Sequence, residues 1–316
     1  MERKQLKPWH GILTFIIMMI IFVIVAVPVQ GNLGLIGVGI TELLLLGMAV
    51  AAAKILKQDL KEVFPIRKPK VREVFGTLVF WVGCFQICML CAILMMVFFP
   101  EEMTATGESL NGVMTDGSVW LSIFIVSFMP AVCEEAVHRG IILHTFKDVK
   151  KEWITVASMG LIFGVFHLDP MRFLSTAVLG AGLSWIMLKT KNIVLPMLFH
   201  AVNNLLPVLM SFLLATLTEA AEQIIGTENA VSVTEADSRA YLIAFGSYLI
   251  TAAIAPILML GGTVLLKPKG EKVKTKYVVT AVVIGAVLAV AGIAILAANI
   301  TYILEMQGIS LEDLGL

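Results

Sequence analysis

Residues 118–147 read SVWLSIFIVSFMPAVCEEAVHRGIILHTFK, an apolar run long enough to cross a membrane with Glu134, Glu135, His138 and Arg139 at its middle. A charged side chain at the centre of a bilayer costs about 2.5–3.5 kcal/mol even on lenient insertion scales. These ionisable groups must therefore face protein or water. Helix geometry pairs them, since Glu135 and Arg139 are four apart and share a face, and so do Glu134 and His138. Two readings stand at this point: a structural ion pair that pins helix packing, or a functional site inside the membrane.

The whole chain agrees with a membrane setting. Of 316 residues, 59% are hydrophobic and 15% charged, so no soluble domain is expected, and the net charge of zero gives no reason to expect a nucleic-acid partner. Apolar segments fall at about 9–28, 33–53, 75–99, the opening stretch, 152–168, 172–188, 193–214, 240–266 and 277–304. The expected fold is all-α and polytopic, with about eight or nine transmembrane helices. The first segment follows Arg3, Lys4 and Lys7 but lacks a small-residue cleavage site, so it is read as an uncleaved helix.

All of the 23 Lys and Arg except Arg139, Arg172 and Arg239 fall in segments that can share one side. The loop 100–117, the segment 217–239 and the tail after 304 are acidic and fall on the other. The positive-inside rule places the N-terminus in the cytoplasm and the C-terminus outside, in a multi-pass protein of the plasma membrane.

Lesser features have plain readings. Cys84, Cys88 and Cys91 stand at helical spacing and are expected to pack as small residues rather than bind zinc. The glycines of GLIGVGITE, within 33–53, lack the Lys-Ser/Thr of a phosphate loop and suit close helix packing. Glu42 stands alone in that segment, facing the bundle or lining a cavity. His10 and His144 are expected at the membrane interface. His167 and His200 fall in apolar segments flanking the Glu-Glu pair, and Asn204 follows His200 by four. At about 1.5 Å per residue, Glu134, His167 and His200 lie roughly 20, 24 and 14 Å from their basic flanks, so one chamber can hold all three. A buried carboxylate can accept a proton from water, imidazoles can orient that water or bind a metal, and an asparagine amide can donate to an oxyanion. That set suits hydrolysis. No Gly-x-Ser-x-Gly elbow and no His-Glu-x-x-His helix is present.

Three short motifs then carry a resemblance. Glu134 to Arg139 matches Glu-Glu-x-x-x-Arg, Phe163 to His167 matches Phe-x-x-x-His, and His200 to Asn204 matches His-x-x-x-Asn. In this order the chain resembles the CPBP (Abi) intramembrane proteases, which include the type II CAAX prenyl endopeptidases and proteins similar to lysostaphin-resistance protein A. The resemblance covers about 118–214, a protease core of four helices between helices at 1–117 and an outer loop with two helices at 215–316.

It implies an endopeptidase acting on membrane-associated peptides or proteins, lipidated in some cases. Glu134 is the implied general base, with His167 as its partner. His200 and Asn204 are implied to stabilise an oxyanion or help hold a metal, Arg139 to shape the site, and Glu135 to orient it or share in catalysis. The family is described both as metalloproteases and as working by a metal-free, glutamate-dependent route. Zinc held by Glu134, His167 and His200 is therefore one implied arrangement. His138 lies outside the motif and is either an incidental neighbour or a group that tunes Glu134. The readings that compete are a non-catalytic membrane scaffold or immunity factor, and a transporter, although no repeated halves are visible.

Overall fold

The computed structural model describes residues 5–225, 238–268 and 270–306, and every regular element in them is helical. Seven helices are long and apolar enough to cross a membrane. The first, α1 (Pro8–Ile55), is two arms joined at Gly34. An additional apolar helix, Glu152–Phe166, has 15 residues, about 22 Å, and is shorter than a bilayer core. Counting the two arms and this helix gives nine apolar helical passes among the described residues.

The arms of α1 meet at a bend six residues beyond the expected end of the first segment. Pro28 does not end the first arm, because the helix runs on until Gly34 leaves helical geometry at φ 52°, ψ −131°. Glycine adopts that conformation without a Cβ clash. The returning arm lies back along the first, with Gln30 Nε2 donating to Thr41 Oγ1 at 2.8 Å. Asp116 Oδ2 accepts from Leu35 N–H at 3.1 Å and so fixes the turn from another part of the chain.

Further helices follow as α2 (Leu60–Val63), α3 (Val71–Phe98), α4 (Pro100–Thr115), α5 (Val119–Ile142), α6 (Glu152–Phe166) and α7 (Pro170–Thr190). The chain ends with α8 (Val194–Ile225), α9 (Ser238–Ala252), α10 (Ala255–Leu266), α11 (Thr275–Ala298) and α12 (Ile300–Met306). Four of these depart from the reading of the sequence. The acidic loop 100–117 is largely the helix α4, opened by Pro100 and by Glu101 and Glu102 where the helix dipole favours them. The acidic segment 217–239 is helical as far as Ile225, and 226–237 lies outside the described residues. The segment 240–266 is broken between α9 and α10, just before Pro256, and 277–304 is broken at Asn299. The acidic tail beyond 306 also lies outside the described residues.

Helices α5 to α8 form the centre. Hairpin α1 packs on α5, while α3 covers α7 and α8 and is itself backed by α9 and α10, on which α11 packs in turn. Two apolar clusters hold this together. One joins Phe15, Met18, Leu45 and Ala49 of α1 to Cys133, Val137 and Ile141 of α5 and Phe166 of α6. The other joins Phe80, Cys84 and Cys88 of α3 to Phe163, Leu183 and Phe199. Cys84 and Cys88 are free thiols packed on α7, as their spacing suggests. Ile16, Ile20 and Ile24 on α1 and Val279, Val283, Val287 and Val290 on α11 stand exposed, the apolar exterior a membrane protein presents to lipid.

The loops sort to two ends. At one end Arg67 bonds to Thr190 O and pairs with Glu73, Arg72 donates to Lys267 O and Val264 O, and Lys189 pairs with Glu152. At the other the Gly34 turn meets Asp116. The basic segments thus gather on one side, as the charge pattern requires. Asp116→Ala removes the acceptor that holds the Gly34 turn and should lower stability by about 1 kcal/mol, read as a lower thermal midpoint in detergent with helix content unchanged.

Candidate active site

The site begins with a proline. Pro130 has no N–H to give the carbonyl of Val126 four residues earlier, and its ring crowds that carbonyl. Residues Ile123–Phe128 accordingly take the wider π-helical turn, and a second π-helical stretch runs from Ala136 to Ile142. Such turns occur often at functional sites because they free backbone groups and re-aim side chains. Here the freed Val126 carbonyl accepts from Asn204 Nδ2 at 3.2 Å, and Ser127 Oγ donates back to Ala201 O at 2.7 Å. These two bonds lock α5 to α8 beside the acidic pair.

Between the π-turns lie Glu134 and Glu135, both buried. Arg139 Nη1 donates to Glu135 Oε1 at 2.8 Å, with both side chains fully buried. His200 Nδ1 reaches the same oxygen at 2.9 Å. Arg139 Nη2 donates to Gly180 O at 2.8 Å, and its guanidinium lies 4.6 Å from the centre of the Phe163 ring. Glu135 thereby ties α5 to α8, and Arg139 ties α5 to α6 and α7. Gly180 is required by this approach, because a Cβ there would run into the Phe163 side chain.

Phe163 is the hub of the aromatic shell. Its ring meets His138, His167 and His200 edge-on, at centroid distances of 4.9, 4.8 and 5.7 Å. His167 is not inside a helix, as its segment suggests, but caps the end of α6 at the turn His167-Leu168-Asp169-Pro170. Leu168 has φ 51° there, and Asp169 caps α7 through the Met171 and Arg172 amides. This turn delivers the imidazole to the site.

The partners of the three histidines fix their tautomers. His138 Nδ1 lies 2.8 Å from Glu134 O, His167 Nδ1 2.9 Å from Phe163 O, and His200 Nδ1 bonds to the paired Glu135 carboxylate. Carbonyls and carboxylates only accept, so each Nδ1 carries the hydrogen and each Nε2 keeps its lone pair. The site therefore offers imidazole acceptors, not imidazole donors. The resemblance gives His200 an oxyanion role, and a neutral His200 in this tautomer has no proton for it. Asn204 has one amide hydrogen on Val126 O and a second left over, which makes it the donor.

Glu134 differs from its neighbour in having no ion pair among the described residues. The Oε2 atoms of both carboxyls are buried with no hydrogen-bond partner, and no direct bond from Glu134 to His167 is present among the described residues. The bare Nε2 atoms of His167 and His200 are donors of the kind zinc takes. Yet among the described residues no three His, Cys, Asp or Glu side chains stand close enough to hold one ion. Glu134, His167 and His200 as placed do not make a three-ligand zinc site.

Residues 116–206 match the family model described as Type II CAAX prenyl endopeptidase Rce1-like. That match supports the CPBP/CAAX protease family for this segment. Comparison with curated proteins and with solved structures found no match. The CAAX-protease segment holds all three motifs, and the fold brings their residues around one aromatic hub. It does not include α1 or the helices from α9 onward.

Several parts of the CAAX-protease site were not visible in the motifs. The double use of Glu135 Oε1 needs the contact between α5 and α8. The Val126–Asn204 bond had one sequence signal, Pro130 four residues after Val126 within the same apolar run. The edge-on role of Phe163 for three histidines had none. Arg139→Ala should leave Glu135 charged and half-paired in the interior, at a cost of about 3–5 kcal/mol. A Glu135→Leu/Arg139→Met double variant should regain much of that stability by removing both charges, as thermal midpoints in detergent will show. A double variant no more stable than Arg139→Ala would contradict the buried-pair argument.

Proposed function

We propose that this chain is an intramembrane endopeptidase that hydrolyses peptide bonds of membrane-associated peptides or proteins, with or without a lipid attached, by glutamate-activated water. The observation that carries the reading is Glu134, a buried carboxylate with an unpartnered oxygen and no ion pair among the described residues, beside a neighbour whose Oε1 takes both Arg139 and His200. Glu135 is neutralised by Arg139 and bonded by His200, so it orients. Glu134 has an oxygen free to take a proton from water. The Nε2 lone pair of His167 accepts the other hydrogen of that water and aims its oxygen, and the second Asn204 amide hydrogen meets the charge that develops on the carbonyl oxygen.

The basic end of the bundle faces the cytoplasm in this reading, with the N-terminus inside and the protein in the plasma membrane.

Peptide release in proteoliposomes tests the proposal, with a mixed library of prenylated and unprenylated membrane peptides. Wild type should cleave some of them. Glu134→Gln should lower the rate by about 10²–10⁴-fold, the range for losing a general base, while the protein stays folded in the membrane. A Glu134→Gln protein with wild-type rates would remove Glu134 from that role. Repeating the assay with a zinc chelator separates the two routes, since loss of activity restored by added zinc would assign the water to a metal.

A further inference from the structure

Glu42 is outside the family-matched segment and has no part in the mechanism above, yet it stands in the same chamber. It lies on the second arm of α1, 5% exposed, and its Oε2 is buried without a partner. The packing around it fixes its position. Gly39, one turn earlier, lies against Ile125 and Met129 of α5, where a Cβ at residue 39 would stand 3.5 Å from each. Leu45, almost one turn later, shares an apolar cluster with Cys133, Ala136 and Val137. Glu42 is therefore held alongside the stretch of α5 that carries Cys133 and Glu134.

A count of charge narrows what Glu42 can be. Three buried carboxyls, Glu42, Glu134 and Glu135, face one buried guanidinium, Arg139, which is already paired with Glu135. Two carboxyls that repel each other in apolar surroundings do not both ionise, and one proton resides on the pair. Peptide hydrolysis also needs a proton for the leaving nitrogen. The three imidazoles have their Nδ1 hydrogens on Glu134 O, Phe163 O and Glu135, and bare Nε2 atoms, so none has a proton to give. Arg139 is committed. The protonated carboxyl is the remaining donor besides a proton returned by Glu134 itself.

We propose that Glu42 is a second catalytic residue of this site, the general acid that protonates the leaving amide nitrogen while Glu134 acts as base. This rests on the endopeptidase reading above. Water gives one proton to Glu134 as its oxygen bonds to the carbonyl carbon. The carbon–nitrogen bond of the tetrahedral intermediate then breaks as Glu42 gives its proton to the nitrogen. The site resets when the proton on Glu134 passes to Glu42, so one water is consumed and no other reactant is needed.

The test separates acid from base by the leaving group. The peptide identified in the proteoliposome assay is prepared with its natural amide and as the peptidyl p-nitrophenyl ester, whose leaving group departs without a proton. Glu42→Gln, close in shape but without a proton to transfer, should lower kcat on the amide by about 10²–10⁴-fold. Its kcat on the ester should stay within about threefold of wild type, which also shows that the variant is folded. Glu134→Gln should lose both activities. Glu42→Gln with unchanged amide cleavage overturns the assignment, and so does an equal loss on amide and ester. Wild type that cleaves neither substrate overturns the endopeptidase reading and this inference with it, whereas the two preceding outcomes leave that reading standing.

Discussion

The structure depends on one buried ion pair. Glu135 and Arg139 are both fully out of solvent and 2.8 Å apart. Such a pair is a poor source of stability by itself, because removing two ions from water costs about as much as their attraction returns. Its value lies in what the remaining hydrogen bonds must do. Glu135 Oε1 still needs His200, and Arg139 still needs the Gly180 carbonyl and the face of Phe163. Those demands pull α5, α6, α7 and α8 to one point. The small residue at 180 and the ring at 163 are the shapes that allow it. Glu134 is left without an ion pair among the described residues because Arg139 is taken by its neighbour.

Much of this was legible in the sequence, for identifiable reasons. The membrane setting follows from hydropathy, and the sorting of loops to two ends follows from where lysine and arginine fall. The Glu135–Arg139 contact follows from a spacing of four, and it survives although residues 136–142 adopt a π-helical turn rather than the regular helix that spacing assumes. Depth arithmetic brought His167 and His200 near the pair, and both meet the Phe163 ring.

What was not legible depends on contacts between distant segments or on the choice between helix and loop for polar stretches. The helix α4 is acidic and polar and was read as loop, because membrane hydropathy cannot tell a surface helix from a loop. His167 was read as inside a helix, yet the Asp169 cap and Pro170 end α6 one residue before it. The break at Gly34 rather than Pro28 shows a related ambiguity. Pro28 frees the carbonyl of Ile24, four residues earlier, yet the helix runs on past it, with no turn at the proline. A positive φ is not tolerated by most residues, so the turn falls at the glycine.

The same logic separates the two prolines that matter most. Pro28 frees the Ile24 carbonyl on the first arm of α1, and the helix continues past it. Pro130 frees the Val126 carbonyl inside the bundle, where only another helix can reach, and Asn204 answers from α8. That bond places Asn204 beside the acidic pair with one amide hydrogen to spare. The backbone defect, the asparagine and the buried carboxylates are thus parts of one arrangement: a missing N–H in α5 creates the need that brings the Asn204 amide to the helix that carries Glu134. A bundle of regular helices would satisfy its own backbone throughout and would have no reason to gather these groups at one place.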